Sequence, residues 1–216
     1  MKRALVSALA LCSFMCVARA QNWTLTSAPI TNWFAIANSA DSTRIVAAVN
    51  SYPYNYGSSG PLYGSTNSGT TWALLSAPVT NWIGITASAD GKTMAGVTAA
   101  PLYSYPGGPI YVSTNFGVTW TVADAPITNW VSITSSGDGS ILAAAQAGAG
   151  RYAEYGSIFT STNGGANWLP SGSPYVNWSS VASSADGLTF AAASSNSSSI
   201  FISTNTGVSW TGTSAA

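Results

Sequence analysis

The sequence predicts an all-β chain: a β-propeller of four four-stranded repeats of about 48 residues, the ring either closed by the chain itself, left incompletely closed, or paired with a second copy. Three observations predict it. Aligned on itself, the chain repeats a short box four times, at Ser65–Trp72, Ser113–Trp120, Ser161–Trp168 and Ser203–Trp210. A second marker, Asn-Trp, recurs once ahead of each box, at Trp33, Trp82, Trp130 and Trp178. Beyond residue 20 no window of ten or more residues carries helical periodicity.

The elements follow in chain order. Lys2 and Arg3 precede an apolar run, Ala4 to Val17, ending in Ala18-Arg19-Ala20, which reads as a secretory leader over 1–20. The repeats then occupy approximately 23–71, 72–119, 120–167 and 168–216. Each first strand follows Asn-Trp. Eight residues beyond that Trp stands an aspartate, Asp41, Asp90, Asp138 or Asp186, followed in the last three copies by Gly91, Gly139 and Gly187, a tight-turn signal. Small apolar runs form the second strands. The third strand enters the box and the fourth leaves it. The segment Asn22 to Thr26 reads as one more fourth strand, so the count gives one strand too many for a closed ring of four. Ala-Pro at Ala28-Pro29, Ala77-Pro78 and Ala125-Pro126 stiffens the links, with each Trp packed beneath a link and each Asn serving its backbone.

The box, Ser-x-Asn-x-Gly-x-Thr/Asn/Ser-Trp, closely resembles the Asp-box (BNR) repeat of sialidases, xyloglucan-cleaving glycosidases, sortilin-type receptors and photosystem II assembly factors. The likeness covers four boxes and nearly all of the chain after residue 20. Asn67, Asn115, Asn163 and Asn205 stand where that family usually has Asp, which the turn tolerates because either side-chain oxygen can accept from its N–H groups. In the resembled proteins the hairpin is structural. The same reading is expected here, with the box Trp packed between neighbouring sheets.

Composition narrows the chemistry. The chain has no His, and its two cysteines, Cys12 and Cys16, fall in the leader. Imidazole and thiolate catalysis, and His- or Cys-ligated metals, are thereby excluded; no cofactor and no metal site are expected. After residue 20 three cations, Arg44, Lys92 and Arg151, face six acids, net −3, so neither a nucleic-acid surface nor membrane insertion is expected. Two arginines cannot form the arginine triad that the sialidase likeness would require.

Length variation locates the tolerant surface. From turn Asp to box Ser the spacing is 24, 23, 23 and 17, whereas the other spacings are constant. The loop between second and third strands therefore varies, and in an up-and-down sheet it emerges at the same end as the inter-repeat link. Seven tyrosines lie there: Tyr52, Tyr54 and Tyr56, then Tyr103 and Tyr105, then Tyr152 and Tyr155 beside Arg151. They either line a site for a glycan or an extracellular protein, or pack on the sheet edges. If the chain is an enzyme, the acids that break the repeat, Asp124 and Glu154, are its candidate glycosidase pair on the loop face. The leading reading is a secreted or extracytoplasmic, non-enzymatic binding propeller; the alternatives are that hydrolase, and a purely structural repeat module. A homodimer is the further partner expectation.

Overall fold

The computed structural model describes residues 24–50, 59–99, 107–148, 155–195 and 199–214. Among them sixteen strands form four antiparallel sheets, each in simple up-and-down order. The first sheet holds β1 (Trp33–Asn38), β2 (Ile45–Val49), β3 (Leu62–Ser65) and β4 (Ala73–Leu74). The second holds β5 (Asn81–Ala87), β6 (Met94–Ala99), β7 (Ile110–Ser113) and β8 (Thr121–Val122). The third comprises β9 (Trp130–Ser135), β10 (Leu142–Gln146), β11 (Ile158–Ser161) and β12 (Leu169–Pro170). The fourth comprises β13 (Trp178–Ser183), β14 (Phe190–Ser194), β15 (Ser199–Ser203) and β16 (Thr211–Ser214). No helix occurs among the described residues.

The sheets stack face to face, β1 on β5, β5 on β9 and β9 on β13. Each has a leading face rich in large side chains and a trailing face of smaller ones. A bulge after every Asn-Trp creates the leading face, because the register slips between Trp33 and Ala35, Trp82 and Gly84, and Trp178 and Ser180, with the equivalent shift at Trp130. In a regular strand residues three apart point to opposite faces; the extra residue puts Trp82 and Ile85 on one face.

Three cores result, one per junction. Val46, Ala48 and Leu62 of the first sheet meet Trp82, Ile85 and Met94 of the second. Ala95, Val97, Ile110 and Val112 meet Trp130, Ile133, Leu142 and Ala144. Ala143, Ala145 and Ile158 meet Trp178, Val181, Phe190 and Ala192. Within the second sheet a small residue makes room for the ring: a Cβ at Gly96 would lie 2.6 Å from the Trp82 ring of the neighbouring strand. The fourth sheet does not return onto the first, so the ring is open. The extra strand is resolved by the same arrangement. Thr211–Ser214 completes the fourth sheet, while Thr24 to Ser27 forms no strand and lies beside the first box, Ser27 Oγ donating to Thr70 O at 2.5 Å.

Candidate functional site

Each sheet has two ends, and the box end is fully committed to structure. Ser65 Oγ donates to Asn67 Oδ1 at 3.0 Å and accepts from Gly69 N at 2.9 Å; Asn67 Oδ1 also accepts from Thr71 N at 2.8 Å. The same set recurs around Asn115, Asn163 and Asn205. Asn does here what Asp could not, since its Nδ2 donates to the hydroxyl four residues on in three copies: Thr71, Thr119 and Ser209. The indole of Trp72 donates to Gly69 O, and those of Trp168 and Trp210 repeat the bond. Each of Trp72, Trp120 and Trp210 also packs on the Asn-Trp ring of its own sheet.

The turns that share this end carry the aspartates. Asp41 Oδ1 accepts from Ser39 Oγ, Thr43 N and Thr43 Oγ1. These bonds, Ser39 first, hold its carboxyl down at about 2, and Asp138 is likewise held at about 2 by Ser136 and Ser140. Asp90 and Asp186 are lowered by Ser88 with Lys92 N, and by Ser184 with Leu188 N. The turns are longer than a two-residue hairpin, because a Ser closes each by accepting from the amide five residues on, as the buried Ser88 does from Thr93 N. That serine, two before every turn Asp, is legible as a repeat.

The opposite end bears the variable loops, pinned at their base. Gly60, Gly108 and Gly156 bridge to Thr80, Thr128 and Val176 of the following link. A Cβ on Gly60 or Gly156 would lie 2.0 Å from the Val49 or Gln146 carbonyl oxygen, so only glycine fits. Each stands five residues before its box Ser. Side chains brace the same rim: Gln146 Nε2 donates to Thr128 Oγ1 at 2.7 Å, and Asn50 Nδ2 donates to Asn81 Oδ1 at 2.5 Å and to Trp82 O at 3.1 Å. Asn81 therefore serves a neighbouring side chain rather than the link backbone expected from the sequence. Trp82, Trp130 and Trp178 go into the inter-sheet cores, each with its indole N–H buried and unpartnered by protein.

Of the loop tyrosines, Tyr155 is described and exposed beside Gly156. Tyr52, Tyr54, Tyr56, Tyr103, Tyr105, Arg151 and Tyr152 lie outside the described residues, as does Glu154. Sequence reasoning missed Tyr175. It sits in the last link, exposed on the other strand of the Gly156–Val176 bridge, and its place two residues before Asn-Trp was the available signal. Asp124 is exposed and its backbone bridges to Asn167, just before the third box Trp, which puts it along the sheet flank.

Four stacked four-stranded sheets of this kind define a β-propeller. No family model matches the chain, and no curated protein matches it. Among solved structures, the Niastella koreensis GH74 enzyme superposes with a TM-score of 0.63 at 22% identity, over 87% of this chain and 25% of that one. A nidogen/laminin complex gives 0.60 at 12% identity, over 80% and 60%, and YCF48 bound to D1 peptide gives 0.53 at 16%, over 84% and 54%. The chain thus spans a quarter of the first and somewhat over half of the other two.

Proposed function

We propose that this propeller is an exported, non-enzymatic binding module of the Asp-box type, which holds a glycan or an extracellular protein on the tyrosine-bearing loop end. The observation that carries the reading is the loop base. Three loops of different composition spring from identical glycine bridges at one end of the stack, and Tyr155 and Tyr175 stand exposed on the two strands of one bridge. Rigid bases with variable aromatic tips suit recognition, because Tyr presents flat apolar area and a hydroxyl at small entropic cost. The repeated Ser-Asn-Gly hydrogen bonds support the Asp-box assignment, and the Lys2-to-Ala20 pattern supports export. Two of the similar structures are complexes with a protein or peptide, which favours a protein partner over a sugar.

The test is a binding screen of the purified chain on a glycan array and against extracellular proteins by cross-linking, followed by Tyr155→Ala, Tyr175→Ala and Tyr103→Ala. Each ring lost should weaken the complex by about 1 kcal/mol while melting is nearly unchanged. Binding indifferent to all three substitutions would refute the loop site. The hydrolase alternative rests on Asp124 and Glu154, and unchanged glycan cleavage by an Asp124→Asn, Glu154→Gln variant would end it.

A further inference from the structure

Every junction in the stack is made the same way, and two of its faces are left without a mate. The leading face of the first sheet repeats the constellation buried in the others, with Trp33 and Ile36 in the places of Trp82 and Ile85. Yet Trp33 is 38% and Ile36 68% exposed, against 0% and 8% for their counterparts. They line an open groove of about 600 Å³ with Phe34, Ala47 and Trp72. At the far end the trailing face of the fourth sheet is bare in the same sense. Ile200 is 44% exposed, whereas Leu62, Ile110 and Ile158 at that position are each 0%.

We propose that these two faces belong together between copies: the trailing face of the fourth sheet in one chain seats on the leading face of the first sheet in a second, and two copies close a ring of eight sheets. Three features of the existing junctions specify the match. The trailing-face position opposite the leading Ile or Val is always small, at Ala35, Gly84 and Ser132, and Ser180 keeps that choice on a face that no sheet of the described residues covers. Ser132 Oγ accepts from Val181 N at 3.2 Å, so Ser180 is preset to accept from the Ile36 amide of the second copy. The inter-sheet turns also form a one-way ladder: Ala40 N donates to Ala89 O, Ala89 N to Gly137 O, and Gly137 N to Ala185 O. Its next rung would run from Ala185 N to the second copy's Ala40 O. The leading segment takes part in this: Thr24 and Thr26 also line the groove beside the first box, in the place where the fourth strand of a preceding sheet would pass, so seating β16 of the second copy there displaces them.

Sedimentation of the purified chain at micromolar concentration should give a two-copy mass. Ile36→Asp and Ile200→Asp should each yield monomer with an unchanged melting onset of the monomer itself, since both side chains are exposed in the single chain. Mixing the two variants should restore a two-copy species, because one junction then retains two native faces. A second variant, Ile36→Cys with Ser180→Cys and with Cys12 and Cys16 replaced by Ser, should form a disulfide between copies on oxidation; an ideal Cβ on Gly84 lies 3.6 Å from Ile133 Cγ2 at the equivalent contact. A monomeric parent chain, a dimer indifferent to Ile200→Asp, or a disulfide within one chain, which would mean self-closure, would each overturn the proposal.

Discussion

At the residue scale, the acid response follows from four turn carboxylates. Asp41 and Asp138 titrate at about 2 in the folded chain, well below the unfolded value near 3.9, because hydroxyl and amide donors bond the ionised form. A folded pKa below the unfolded one contributes stability that is present above about pH 4 and is lost as pH falls toward 2. Urea midpoints should therefore drop between pH 4 and 2 and hold level above it, and an Asp41→Asn, Asp138→Asn variant should flatten that drop. The carboxyls are solvent-exposed, so the slope will be shallow. A second residue-scale expectation concerns strain. Thr206 has φ 56° ahead of Gly207, a left-handed conformation that a β-branched residue adopts at a cost, and the third box places Gly164 there instead. Thr206→Gly should stabilise by about 1 kcal/mol, read as a rise of a few degrees in melting temperature by calorimetry.

At the scale of the element, the loop bases and the box hairpins should respond differently to substitution. Gly156→Ala forces a Cβ against the Gln146 carbonyl oxygen, a backbone atom that cannot step aside, and should cost about 1–3 kcal/mol and loosen the third loop. Amide exchange at Gly156 and Val176 would report the opening. Gly117→Val in the second box meets Leu75, a flexible side chain, but imposes a β-branched residue at φ 77°, so the penalty comes from the backbone. Four strands per repeat, their order, and the committed box were legible before the structure, because period-2 runs between turn residues and a regular spacing carry that information. The bulge was not. Nothing in Asn-Trp announces that the register slips there, since a bulge is settled by what the strand must present to the neighbouring sheet.

For the whole molecule, an open stack is stable in the middle and weak at its ends. Trp82 and Trp178 are each locked between two sheets, and Trp82→Ala should cost about 3–5 kcal/mol. Trp33→Ala, at the uncovered face, should cost the single chain far less while abolishing association if the faces pair. Equilibrium unfolding of both variants, at concentrations above and below the dimer midpoint, makes the comparison. Hydrogen exchange of the dissociated chain should be slowest in β6 and β10 and fastest in β1 and β15.

By itself the sequence determined the repeat, the strand order, the turn and box chemistry, and which catalytic chemistries are closed to a chain without histidine. These are local properties, written in spacing and residue type. Tertiary structure alone decided the rest: that among the described residues no sheet covers the leading face of the first, which leaves Trp33 bare, that Asn81 bonds Asn50 across a junction, that Tyr175 joins Tyr155 beside one bridge, and that the ring they form stands open. Each of these depends on which surfaces meet, and residues far apart in the chain carry no local mark of the partner that will or will not cover them.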